Sequence, residues 1–193
     1  MARENEGEPY LSLKREATTG SEVDESLAAL MTNSNAIRAI ASAVEGTLGP
    51  KGLDTMLVDK FGEVVITNDG VTILTMMEAN HPAARMLINI AKAQQAEVGD
   101  GTTTATVMAG VLVSSGVEQV AKGVPVARVI EGLRTGLKRA LEVMQEQSRP
   151  IKGLDDPHAR EVALVAGRGH AHIADLVTRA AVLNGEEKLK DRF

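Results

Sequence analysis

Along most of this chain apolar side chains recur every three or four positions, broken at intervals by glycine and proline. The start differs: after a polar, flexible tail, Tyr10-Leu11-Ser12-Leu13 alternates and predicts a short strand that needs a partner from elsewhere. Thr18-Thr19-Gly20-Ser21 is turn chemistry, with Thr19 or Ser21 as a cap. From Val23 the series Leu27, Leu30, Met31, Ile37, Ile40, Ala41, Val44 and Leu48 has helical spacing and predicts a long helix with this face in the core. Pro50, between Gly49 and Gly52, ends it. The period then shortens. Residues 53–58 and 63–67 are apolar and rich in β-branched side chains, and Asp59-Lys60-Phe61-Gly62 between them predicts a hairpin. Asn68-Asp69-Gly70 turns the chain into a short helix over 71–77.

Asn80-His81-Pro82 starts the next helix, 82–98, with Met86, Leu87, Ile90, Ala91 and Val98 along one side. Another opens at Thr102 and ends at Gly123. Its small residues Ala105, Ala109, Gly110 and Ser114 permit close helix packing. Residues 125–147 form an amphipathic helix, with Val126, Val129, Ile130, Leu133, Leu137, Leu141 and Met144 inward. After a boundary at 150–153, helices follow from Asp156-Pro157 to Gly167 and over 170–183. The charged run 185–193 reads as a chain cut rather than concluded. The pattern predicts a mainly α protein with one small β-hairpin.

Composition narrows this. Of 193 residues, 44% are hydrophobic but only 2% aromatic, so the core is built from Ala, Val, Leu, Ile and Met, which favours closely packed helices. The absence of cysteine excludes disulfides, thiolate chemistry and Cys-based zinc sites. A net charge of −5, with no basic cluster interleaved with aromatics, argues against a nucleic-acid partner. The charged start carries no signal peptide, and no stretch has the apolar length of a membrane span. The expectation is a cytoplasmic protein with no membrane partner. His158, His170 and His172 have no third ligand at a suitable spacing and read as ordinary histidines near helix ends.

The chemistry concentrates in V-G-D-G-T-T-T-A-T-V-M-A-G, residues 98–110. Gly99 and Gly101 allow a tight turn and close approach of a ligand. Thr102, Thr103 and Thr104 place three hydroxyls at a helix start, where free N–H groups and the macrodipole attract anions. Asp100 alone would repel a phosphate; with a hard cation such as Mg²⁺ between carboxylate and phosphate oxygens it fits. This stretch therefore reads either as a metal–phosphate site or as an ordinary Asp-Gly turn with threonine caps. The G-T-L-G-P-K-G loop is not a Walker pattern, because Gly52 rather than Ser or Thr follows Lys51. By itself it reads as a helix terminator, and Asp69 as a turn residue.

Three stretches in this order, T-L-G-P-K-G at 47–52, T-N-D-G at 67–70 and G-D-G-T-T-T at 99–104, resemble the chaperonin family. His81-Pro82-Ala83-Ala84 and Val98 narrow the resemblance to the group II type, of thermosome and TCP-1-like subunits, and leave a bacterial source open. The resemblance runs from about Tyr10 to Leu183. It implies part of an equatorial ATPase domain over residues 21–152 and the first segment of an intermediate domain over 153–193, with apical and C-terminal equatorial parts absent. It also implies that Thr47, Leu48, Gly49, Pro50 and Lys51 lie against nucleotide phosphates. Asp100 then holds Mg²⁺, Gly101, Thr102, Thr103 and Thr104 bind phosphate, and Asp69 orients the water that attacks the γ-phosphate of ATP. Arg168, in G-R-G, stands where the family carries a phosphate-sensing lysine; it keeps the charge but is not equivalent. Implied partners are other subunits of a ring and unfolded client proteins.

Two functions follow from different classes. One is an ATP-dependent chaperonin subunit, represented by its N-terminal part and not expected to turn over ATP alone. The other is a truncated helical interaction module without nucleotide turnover. An unrelated phosphate-binding enzyme has no further catalytic constellation to support it.

Overall fold

The computed structural model describes residues 9–49 and 51–190, with side chains from residue 25 to residue 189 apart from Pro50. The expected flexible tail falls mostly outside these residues. The elements are α1 (Pro9–Glu45), β1 (Thr55–Val58), β2 (Val64–Thr67), α2 (Gly70–Met76), α3 (Pro82–Glu97), α4 (Thr102–Ala121), α5 (Val126–Gln147), α6 (Pro157–Ala166), α7 (Ala171–Asn184) and α8 (Glu186–Lys190). The mainly α architecture with one hairpin is as expected. Tyr10-Leu11-Ser12-Leu13 is not a strand: α1 begins at Pro9 and runs through both this segment and the expected turn at 18–21. An extended segment satisfies its N–H and C=O groups only against a neighbouring strand, whereas a helix satisfies them internally. The short charged helix α8 has no apolar periodicity to announce it.

The chain divides into two compact units, 1–132 and 133–193. In the first, the core is Ile40, Ala41 and Val44 of α1, Ile73 and Leu74 of α2, and Ala84, Leu87, Ile88 and Ala91 of α3. Each large aliphatic group so buried contributes about 1.5–3 kcal/mol. The caps follow the local sequence. Asp69 caps α2 by accepting from the Thr72 N–H, and His81 caps α3 by accepting from the Ala83 N–H, with proline in the first turn. β1 and β2 pair antiparallel with Met56 opposite Ile66 and Val58 opposite Val64, and all four side chains are exposed.

On two helices the buried line leaves out some of the largest side chains. On α3 the buried line is Ala84, Leu87, Ile88 and Ala91, while Met86, Ile90 and Val98 are exposed. On α4 it is Thr102, Thr106 and Gly110, and Met108, Val111 and Leu112 are exposed. The small residues win on α4 because α1 lies so close: a Cβ on Gly110 would sit 2.6 Å from Ala41 Cβ. The expected inward face of α5 is also uncovered, since Val126, Ile130, Leu133, Leu137, Leu141 and Met144 are all exposed and the helix has no buried residue.

In the second unit Asp156 caps α6, accepting from the His158 N–H and the Lys152 N–H. Its other contact is the His158 ring at 2.8 Å. The two N–H donors, and then the imidazole, hold the Asp156 carboxyl down at about 2 from an ordinary 3.8. The same hydrogen bond raises the His158 pKa above its usual value. Arg160 of α6 donates to Asp175 of α7 at 2.6 Å, which joins the two helices and lowers the Asp175 pKa.

Replacing Leu87 with Ala removes a side chain only 2% exposed. The expected cost is about 2–5 kcal/mol in urea unfolding of the first unit. For the second unit the sign follows from the depressed carboxyl. Its contribution is fully present above the ordinary 3.8 and is lost as pH falls toward about 2. Protection of the α6 amides, taken relative to the intrinsic exchange rate at each pH, is therefore expected to fall across that interval in the wild-type chain. In Asp156→Ala it starts lower and changes less with pH.

Candidate functional site

The expected turn and helix start are present: α3 is capped at Val98, and α4 opens at Thr102 behind Gly101. Gly99 and Gly101 both take left-handed φ, 81° and 77°, where a side chain is strained. No side chain caps α4. Its first N–H groups thus keep their capacity for an acceptor, and the positive end of the helix dipole lies with them. Asp100, exposed, accepts from the Gly101 N–H at 2.7 Å through one carboxylate oxygen.

Two distant parts of the sequence meet this helix start. The first is the Asn68-Asp69-Gly70 turn. A Cβ on Gly70 would lie 2.5 Å from Thr103 Oγ1, 3.0 Å from the Thr103 amide nitrogen and 3.1 Å from Thr102 Oγ1. Only glycine allows that approach. The second is the loop after α1, whose Thr47 Oγ1 is 3.4 Å from Thr103 Oγ1 and donates to the Val44 carbonyl at 2.8 Å. The loop is tightened by the Gly52 N–H on the Gly49 carbonyl and the Leu53 N–H on the Gly46 carbonyl. A Cβ on Gly52 would overlap the Thr47 carbonyl, and Gly49 has φ 85°. Gly52 is therefore required sterically, and Gly49 by its backbone angle.

The remaining candidates are distributed as follows. Leu48, Gly49 and Lys51 are exposed, and Pro50 lies outside the described residues. Consecutive helical residues point about 100° apart, and the three threonines accordingly differ. Thr102 is buried against the Gly70 turn, Thr103 is half-buried facing Thr47, and Thr104 is exposed. Arg168 belongs to the second unit, where it adopts φ 52° between Gly167 and Gly169 and donates its N–H to the Val165 carbonyl. Among the described residues no three His, Asp or Glu side chains gather into a metal-binding group.

Two residues that motif reading passed over shape the site. Thr72 donates both its backbone N–H, at 2.9 Å, and its hydroxyl, at 2.6 Å, to Asp69 Oδ2, leaving Oδ1 with the capacity for another donor. The signal was Asp followed three positions later by a hydroxyl residue at a helix start. Gln94 donates to the Asp100 carbonyl at 2.9 Å. Nothing in its sequence neighbourhood marks it.

The comparisons with known proteins extend over nearly the whole chain. Residues 40–192 match the model of the TCP-1/cpn60 chaperonin family. Thermosome subunit beta of Archaeoglobus fulgidus is 43% identical over 181 residues, covering 92% of this chain and 32% of its own length. The thermosome subunit of Methanothermococcus thermolithotrophicus is 46% identical over 134 residues, 68% of this chain and 25% of that one. A crystal structure of a group III chaperonin in the open state superposes with a TM-score of 0.74 at 52% identity, over 84% of this chain and 33% of that one. The chain spans about a third of the length of the curated relatives it matches. With its fold, its three glycine-bearing loops and these matches taken together, the chain belongs to the TCP-1/cpn60 chaperonin family.

Proposed function

We propose that this chain is the nucleotide-binding N-terminal part of a chaperonin subunit, and that it holds Mg-ATP at the start of α4. The observation that carries the reading is the convergence of the Thr47 hydroxyl and the Gly70 backbone on a helix start that no side chain caps. Gly101 lets the phosphates approach the backbone closely, the threonines at 102–104 bring N–H donors and hydroxyls to them, and the loop at 47–51 lies against them. Asp100 is the protein ligand of Mg²⁺. The donor set fits that ion: a single exposed carboxylate suits a cation that keeps several waters and takes its other ligands from phosphate oxygens. Bound Mg²⁺ would neutralise phosphate charge during phosphoryl transfer.

Asp69 orients the attacking water. Thr72 ties one of its oxygens down, which fixes the carboxylate's direction and leaves the second oxygen for a water proton. Phosphoryl transfer asks for such positioning more than for covalent chemistry. Residues 21–152 correspond to the equatorial domain and 153–193 to the first intermediate segment, in which Arg168 takes the phosphate-sensing role. Ring formation with other subunits, and action on unfolded clients, belong to the whole subunit in a cytoplasmic setting. No helix among the described residues is long and apolar enough to cross a membrane.

Calorimetric titration of the purified chain with ATP tests the reading. Binding is expected with Mg²⁺, and Asp100→Ala should weaken it about 10–100-fold, as loss of a charged contact does. With EDTA present, Asp100→Ala should bind as well as wild type or better, because the bare carboxylate repels phosphate; absence of Mg²⁺-dependent binding in the wild type defeats the proposal. Gly70→Ala should lower affinity as well, because the turn must retreat from α4. It should also cost about 1–3 kcal/mol of stability, as overpacking does, read by urea unfolding.

A further inference from the structure

Asp100 sits between two left-handed glycines, Gly99 and Gly101. A loop of that composition has two permissive joints on either side of its one carboxylate, and glycine loses more freedom on ordering than any other residue. Something must hold Asp100 in place if it is to meet a cation at a fixed point. One side chain reaches across the turn to do so. Gln94, half-buried in the last turn of α3, donates from Nε2 to the Asp100 carbonyl at 2.9 Å. Its own backbone carbonyl accepts from the Val98 N–H at 2.9 Å and the Gly99 N–H at 3.3 Å. Its amide nitrogen also stands 3.3 Å from the place a Cβ on Gly101 would occupy. A single residue therefore grips the turn at its entry, at its middle and beside its exit.

We propose that Gln94 is a positioning residue for the Mg²⁺ ligand, acting through the Asp100 peptide. The proposal rests on the Mg-ATP reading above. The side-chain type suits the task. An amide of this length supplies an N–H donor to the carbonyl without adding charge beside a carboxylate and a cation. A glutamate has no proton to give there at neutral pH and would compete for the metal. The clamp fixes the peptide plane between Asp100 and Gly101, and hence both the direction of the Asp100 carboxylate and the Gly101 N–H that it accepts. Its effect is felt where the metal binds rather than at the phosphates directly.

The test uses the whole chain with Gln94→Met, which keeps length and approximate volume but removes the donor, and Gln94→Lys, which restores a donor. Without nucleotide, amide exchange at Gly101, whose N–H the Asp100 carboxylate accepts, is expected to quicken about fivefold in Gln94→Met, the worth of one neutral hydrogen bond. It should return toward wild type in Gln94→Lys. The dissociation constant for ATP in Mg²⁺ should rise by a similar factor in Gln94→Met and stay unchanged in EDTA. Unchanged exchange at the loop overturns the clamp, and an equal affinity loss with and without Mg²⁺ overturns its link to the metal. If the wild-type chain shows no Mg²⁺-dependent binding, it is the nucleotide reading that fails, and the exchange result still decides the clamp.

Discussion

The site depends on a steric constraint more than on any attraction: backbone must come within contact distance of backbone at Gly70. The turn carrying Asp69 reaches α4 only because nothing projects from the next residue toward the Thr103 amide. That closeness fixes where the Asp69 carboxylate stands relative to the helix dipole. Hydrogen bonds then refine the arrangement, with Thr72 holding one oxygen of Asp69 and Thr47 meeting Thr103. The first is a short bond to a carboxylate and the second, at 3.4 Å, a weak contact, so they adjust a geometry that sterics have already imposed.

The elements themselves were legible wherever local chemistry determines them. Asp69, His81 and Asp156 cap their helices because each offers an acceptor before a helical run, two of them followed directly by proline. The hairpin appeared where β-branched runs flanked a four-residue turn. Helix faces were less legible. On α3 the expected side is half right: Leu87 and Ala91 are buried, but Met86 and Ile90 are exposed. On α4 the small residues announced close packing, and Gly110 is buried against Ala41. Periodicity reports which residues share a side, and not which neighbour that side meets. The uncovered face of α5 has the same root. Amphipathicity states what a helix needs to bury and is silent on whether the covering element lies in the chain at hand.

Motifs located the candidate site but not its supports. The glycines at 49, 52, 70, 99 and 101 signal tight turns, and the structure adds which of them are crowded. Gly52 and Gly70 have no room for a side chain, whereas Gly49 and Gly99 are open around the missing Cβ and answer to their backbone angle alone. Thr72 was readable as a partner of its own cap. Gln94 was not, because it acts across a turn whose path only the folded backbone defines. Arg168, recognised only through a resemblance, illustrates another limit: its left-handed φ between two glycines is a property of the corner after α6, invisible in the triplet itself.

The near-contact of Gly110 with Ala41 has a reach beyond local packing. It lies along the same pair of helices whose adjoining ends bring Thr103 and Thr47 together, about 10 Å away by helical rise. A side chain at 110 would have to part α1 from α4 there, and because the same two helices deliver both hydroxyls, packing at 110 and the Thr47–Thr103 separation are mechanically linked.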